Sequence, residues 1–315
     1  MSKKLFVLIA ISLSLASCTA PFKMARPSPE SKAVLEPIGA ETALILTADD
    51  FGRNRATNLG IIRGIEQGMV TSVALMPVGS AVEEAYDYIS EHPDLDVGIH
   101  LVLARDNMEP KWKPILPPKE IPTLVESDSA FSTSIWWVFW QAEGSDIEKE
   151  LEAQIQAVLS RGIDPTSLSF HKGFFQMHDP KTFSIVIKLA KKYNLPVRRQ
   201  TILHDRAIRK AGILTTDKIV YDFGTYSNRR KKKKFLSSMD WLPRGITEFI
   251  LHLAVEGEDE KDVKGRVAEL KIITDPAIQD YVRKKQIKLI GFKPLRDHQR
   301  TLSTQDEGNH GNSKP

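Results

Sequence analysis

Seven short apolar runs punctuate this chain, at residues 43–48, 71–78, 97–103, 167–171, 195–198, 246–253 and 287–292. They are often β-branched and apolar at consecutive positions, as strands buried on both faces are. Helical stretches alternate with them. Ser145-x-x-Glu148 reads as a capping box. Behind it Ile147, Leu151, Ile155, Val158 and Leu159 share one face, and Gly162 can end the helix. Asp179-Pro180 reads as an N-cap and first helical position, with Phe183, Val186, Ile187, Ala190 and Tyr193 on the face that follows. A further helix is predicted over 259–274, with Val263, Val267 and Leu270 inward. This alternation predicts an α/β fold, a parallel sheet or barrel with helices outside. The chain's 315 residues suit one sizeable domain of that kind.

The N-terminus reads as an export signal. Lys3 and Lys4 precede an apolar segment, residues 5–15, too short to span a bilayer comfortably. Leu15-Ala16-Ser17-Cys18 resembles the lipobox of bacterial lipoproteins, which implies acylation of Cys18 as the new N-terminus. Cys18 is also the only cysteine, so no internal disulfide forms. Thr19 follows it rather than Asp, which in Gram-negative lipoproteins favours the outer membrane. The expectation is an exported protein, lipid-anchored to the cell envelope. Residues 1–17 are then the signal peptide, 18–40 a proline-rich flexible tether, 41–300 the functional domain and 301–315 a disordered tail. A formal charge of +4 gives no general argument for nucleic acid.

Chemistry concentrates at predicted strand ends. The first apolar run stops at Asp49-Asp50. Like charges this close raise one another's pKa, and burying them calls for a partner, most effectively a divalent cation. His100 ends Asp96-Val97-Gly98-Ile99-His100, His171 ends Ser167-Leu168-Ser169-Phe170-His171, and His252 lies late in the run from Ile246. In a parallel barrel such ends converge on one mouth. One Asp and two His suit zinc or another divalent ion, leaving a carboxylate as general base and an imidazole as general acid. His92, His178 and His204 read as structural residues of loops or helix caps.

These residues are familiar as a set. Thr47-Ala48-Asp49-Asp50-Phe51-Gly52 resembles the opening motif of the YdjC-like carbohydrate deacetylases, the ChbG/HpnK group. The resemblance continues through Asn58-Leu59-Gly60-Ile61-Ile62, Gly68-Met69-Val70-Thr71-Ser72, Val97-Gly98-Ile99-His100-Leu101 and Ser169-Phe170-His171-Lys172-Gly173. It ends with Ile246-Thr247-Glu248, Arg266-x-x-Glu269-Leu270, Thr274-Asp275-Pro276, Leu289-Ile290-Gly291-Phe292 and Arg296-Asp297. It implies a deformed parallel (β/α) barrel, TIM-barrel-like and of the polysaccharide-deacetylase type. The implied activity is removal of N-acetyl groups from amino sugars or acetylated glycans with a divalent metal, magnesium or zinc. By match, Asp49 is the general base, Asp50, His100 and His171 hold the metal, and His252 protonates the leaving amine.

Two departures stand out. Ser169 occupies the place of an Asp that usually precedes the metal histidine, and Leu253 rather than Pro follows His252. Lys172, beside a ligand, either opposes a metal or faces an anionic substrate group. The rival reading is a catalytically impaired glycan-binding lipoprotein that keeps the fold. Two further stretches carry expectations. Two or three of Trp136, Trp137, Phe139 and Trp140 are expected to pack under their loop, the alternative being stacking against sugar rings. The basic run 229–234 is expected to be a solvated loop, the alternative being contact with anionic headgroups.

Overall fold

Strand β1 (Thr42–Phe51) is buried along almost its whole length, and it organises the sheet. It pairs in parallel with β2 (Ser72–Leu75) on one side and β6 (Gly245–His252) on the other. Its first residues also pair with β7 (Lys288–Leu289). With β3 (Val97–Leu101), β4 (Leu168–Phe170) and β5 (Lys218–Val220), the strand order is β4-β3-β2-β1-β6-β5. Every pairing is parallel, and the sheet curls into a half-barrel with helices around it. The structure is a computed structural model describing residues 26–106, 112–173, 179–200, 202–221, 223, 227–257 and 263–311, without the side chains of 202, 203 and 306–311. Cys18, the signal segment and His178 lie outside the described residues.

The helices are α1 (Pro29–Leu35), α2 (Arg55–Glu66), α3 (Val82–Glu91), α4 (Ile135–Gln141), α5 (Gly144–Leu159), α6 (Pro180–Lys192), α7 (Ile202–Lys210), α8 (Asn228–Asp240), α9 (Val263–Ile273), α10 (Pro276–Lys284) and α11 (Lys293–Gly311). Asp179 caps α6 as its sequence implies, accepting from the N–H groups of Lys181 and Thr182. The Ser145 capping box does not form: α5 begins two residues early, at Gly144, with Glu143 at the cap position and no side-chain cap. Its inward face is as expected, with Ile147, Leu151, Ile155 and Val158 buried. No helix among the described residues is long and apolar enough to cross a membrane.

Several expectations are corrected. The run 195–198 supplies one isolated bridge, Val197 to Leu168, rather than a strand. Pro196 lacks an N–H to extend the ladder. The fifth strand is instead Lys218–Val220, too short and polar-flanked to stand out. The stretch expected as tether joins the fold at Pro29, where Ser28 caps α1 and Val34 and Leu35 pack with Ala43, Ile45, Ile246, Phe292 and Leu295. The expected tail continues α11 as far as Gly311.

The basic run is helical. Positions 231, 235 and 239 fall on one face of α8, so Lys231, Phe235 and Met239 are buried and the other cations face outward. Lys231 pays for its burial by pairing with Glu269. The aromatic cluster is also not core. Trp136, Trp137 and Trp140 are 58%, 38% and 71% exposed, because a seven-residue helix has one narrow inward stripe and Val138 takes it.

Candidate active site

Consecutive residues of a regular strand face opposite sides. Asp49 and Asp50 nevertheless line one cavity of about 500 Å3, together with His100, His171, His252 and Arg266. The reason is local. The β1–β2 register slips between Ala48 and Phe51, and Asp50 has φ 73°, a left-handed conformation that an L-residue adopts under strain. Gly52 follows with φ 97°, and its N–H donates to Asn58 Oδ1 at 2.7 Å, which turns the chain into α2. At Gly60 a Cβ would stand 2.4 Å from the Ala254 Cα, so this glycine lets α2 lie against the segment leaving β6.

Three strand ends complete the cluster. His100 is on β3, and His171 follows β4 directly. His252 ends β6, in register with Asp49 on the neighbouring strand. Candidate ligand atoms of Asp50, His100 and His171 all lie within 4.8 Å of one another. Asp50 Oδ1 is 3.4 Å from His100 Nε2 and 3.2 Å from His171 Nδ1. Tetrahedral ligands roughly 2.1 Å from an ion are about 3.4 Å apart, so this spacing fits a donor cage. His100 Nδ1 faces the Ser169 hydroxyl at 2.8 Å, and that hydroxyl donates to Ile99 O at 3.3 Å. It therefore accepts from Nδ1–H and leaves Nε2 free to ligate. Ser169, read from sequence as a neighbour of His171, serves His100 instead.

Arginines hold both carboxylates. Arg198 donates to Asp49 at 2.7 and 2.6 Å and to the buried Glu248 at 2.9 Å. Arg266 donates to Asp50 Oδ2 at 2.7 Å, leaving Oδ1 to the imidazoles. Burial pushes the Asp49 carboxyl up, but the charges of Arg198 and His100 outweigh it and the net shift is downward. At Asp50 burial is again opposed, here by Arg266 and by bonds from His100 and His171, which hold the carboxyl well below its usual range. Glu248 is the reverse case, since its burial exceeds the help of Arg198 and its carboxyl is raised. Burial also lowers His252, against the pull of Asp50.

Lys172, with φ 54°, lines the same cavity, and its ammonium donates to Arg105 O at 2.6 Å and pairs with Asp106 at 3.0 Å. Asp106 in turn lies 3.2 Å from His171 Nε2. Two histidines expected to be structural have ring partners elsewhere: His92 stacks on Tyr88 at 4.0 Å, and His204 lies 4.7 Å from Phe183.

Arg198 and Asp106 are missed by the sequence reading, and Arg266 and Glu248 enter it only as motif residues. Glu248 had a signal, a carboxylate inside an otherwise apolar strand. Arg198 ends an apolar run without a visible partner, and Asp106 is an ordinary loop residue.

Comparison with known proteins finds relatives over most of the chain. Residues 43–284 match the family model described as YdjC-like protein. A carbohydrate deacetylase of Thermoanaerobacter pseudethanolicus is 32% identical over 257 residues, 80% of this chain and 99% of that one. One from Geobacillus stearothermophilus is 31% identical over 255 residues, 79% of this chain and 96% of the relative. A solved structure from Enterococcus faecalis V583, named for cellobiose-phosphate cleavage, superposes with a TM-score of 0.73 at 25% identity, covering 81% of this chain and 99% of its own.

Proposed function

This chain belongs to the YdjC-like family, and on that premise we propose that it removes N-acetyl groups from amino sugars or acetylated glycans by metal-dependent hydrolysis. The observation that carries the reading is the meeting of Asp50, His100 and His171 donor atoms in one cavity that Asp49 and His252 also line. The carbohydrate deacetylases at 32% and 31% identity support the substrate class.

The donor set fits a divalent ion. Asp50 Oδ1 and one nitrogen of each imidazole face one another, and each of these rings has a partner at its other nitrogen. Two nitrogen donors favour zinc over magnesium, which prefers oxygen. Held by Asp50, His100 and His171, the ion would polarise the acetyl carbonyl and make a water more acidic.

The chain's own groups supply the proton transfers. Amide hydrolysis forms a bond from water oxygen to the acetyl carbon and breaks the carbon–nitrogen bond. Asp49 takes the water proton. Arg198 fixes the Asp49 carboxylate by both oxygens, so it starts ionised and aimed. A carboxyl kept acidic by that arginine passes its proton on readily. His252, in register with Asp49 and kept neutral at rest by its burial, receives that proton and hands it to the leaving nitrogen. Acetate and a free amine result.

The test is acetate release from N-acetylglucosamine oligomers and envelope glycans, before and after chelation and with zinc restored. Activity that is lost on chelation and returns with zinc supports the proposal. Release unaffected by complete metal removal contradicts it.

Within the family, the order of motifs supports membership of the ChbG/HpnK group. The lysine pair, the short apolar segment and the lipobox-like Leu15-Ala16-Ser17-Cys18 support export and lipid anchoring through Cys18 to the cell envelope. Fatty-acid labelling that disappears in Cys18→Ser checks that assignment.

A further inference from the structure

We propose that Asp106 is the positioning residue for His171, holding the imidazole in the orientation and tautomer that a metal ligand needs; the inference rests on the metal-dependent reading above. The two candidate ligand imidazoles are held in different ways. His100 presents Nε2 to Asp50, and its outer nitrogen meets a hydroxyl, Ser169 Oγ, at 2.8 Å. His171 presents Nδ1 to Asp50, and its outer nitrogen meets a carboxylate, Asp106 Oδ1, at 3.2 Å.

An imidazole ligates an ion through a bare nitrogen, so its other nitrogen carries the proton and wants an acceptor. Asp106 is that acceptor. It faces the ring from the side opposite Asp50, so it orients the ligand rather than joining the cage. The carboxylate is itself fixed: Lys172 Nζ lies 3.0 Å from Oδ1 and Arg53 3.5 Å from Oδ2. The loop that bears it is pinned, since Arg105 N donates to Ser132 O at 3.0 Å and its Nε to Phe131 O at 2.7 Å. Trp112, buried, presses edge-on to His171 with ring centres 5.4 Å apart and restricts rotation of the ring. This also gives Lys172 a purpose: it secures the carboxylate that orients its neighbour. The chain thus carries a hydroxyl at 169, beside one ligand, and a carboxylate from a separate loop beside the other.

The experiment compares full-length wild type, Asp106→Ala and Asp106→Asn for zinc affinity by chelator competition. The visible absorption of the cobalt-substituted proteins gives a second readout, and circular dichroism confirms folding. Loss of a carboxylate that orients a ligand weakens metal binding by about 10–100-fold. Asp106→Ala is expected in that range with altered cobalt bands, and Asp106→Asn toward its lower end. Asp106 is partly exposed in a loop, so both changes are tolerable to the fold. Should the alanine variant not fold, Asp106→Asn decides. Wild-type affinity and an unchanged cobalt spectrum in the variants overturn the inference, as does a wild type that takes up no zinc. The affinity gap in a protein that releases no acetate supports the inference while removing the deacetylase reading. Acetate release without the gap does the reverse.

Discussion

Arg198 grips Asp49 by both carboxylate oxygens, at 2.7 and 2.6 Å, and both side chains are buried. Charge-assisted pairs of this bidentate kind are strong and directional. This pair aims the proposed base and keeps it ionised. The arginine also donates to Glu248 at 2.9 Å, so one guanidinium serves two buried carboxylates.

Arg198→Met should therefore act twice. Removing one partner of a buried ion pair leaves uncompensated charge and costs about 3–5 kcal/mol of stability. It should also raise the Asp49 pKa, because Arg198 supplies the largest opposition to its burial. The acid limb of the pH–rate profile should then move to higher pH. Urea unfolding and kcat/KM against pH check both effects. An unmoved acid limb would show that Asp49 does not set it.

Metal binding should depend steeply on pH. In the metal-free chain burial works against a charged His171, but bonds to Asp106 and Asp50 outweigh it and lift the imidazole to about 9. A ligating imidazole must shed that proton. Below about pH 9 proton and metal compete, and apparent zinc affinity should fall by about tenfold for each unit of acidification. Stability of the metal-free chain has its own sign. The folded pKa is above the unfolded one, so this contribution is full below about pH 6.5 and disappears as pH rises through about 9. Chelator competition and thermal unfolding across that window measure both, and a flat affinity profile would contradict the assignment of His171 as a ligand.

Ser169 offers a finer test. Ser169→Ala removes the acceptor for His100 Nδ1, which lies 2.8 Å away. Zinc affinity should fall by about tenfold or more, and Ser169→Asp should bind at least as tightly as wild type. Equal affinity in all three chains would mean that His100 needs no such support.

How much of this was legible in sequence follows from where the information lies. The apolar runs marked β1, β2, β3, β4 and β6 because burial on both faces leaves a local composition. The ligand and base candidates were legible for the same reason, since a polar residue at the end of such a run is conspicuous. Their partners were not. The arginine–carboxylate network joins Asp49, Arg198 and Glu248 from three distant segments, and nothing local encodes those pairings. The same limit explains α8. Its basic run looked solvated because the buried partner of Lys231, Glu269, lies on another helix.

That ion pair carries a prediction of its own. Glu269 accepts from the His252 N–H at 2.8 Å and pairs with Lys231, with both side chains buried. Lys231→Met should destabilise the fold by about 3–5 kcal/mol by stranding the carboxylate. Adding Glu269→Gln keeps an acceptor without the charge and should recover much of the loss. Denaturant unfolding of the two variants settles the matter, and a silent Lys231→Met would mean that the pair contributes nothing.

The most direct measurement is acetate release by Asp49→Asn beside wild type, with zinc content determined on the same samples. Asp49 is outside the donor set of Asp50, His100 and His171, so the variant should keep stoichiometric zinc. Its turnover should fall by at least about 100-fold, the usual contribution of a general base. Zinc-loaded Asp49→Asn that releases acetate at the wild-type rate would contradict the central claim.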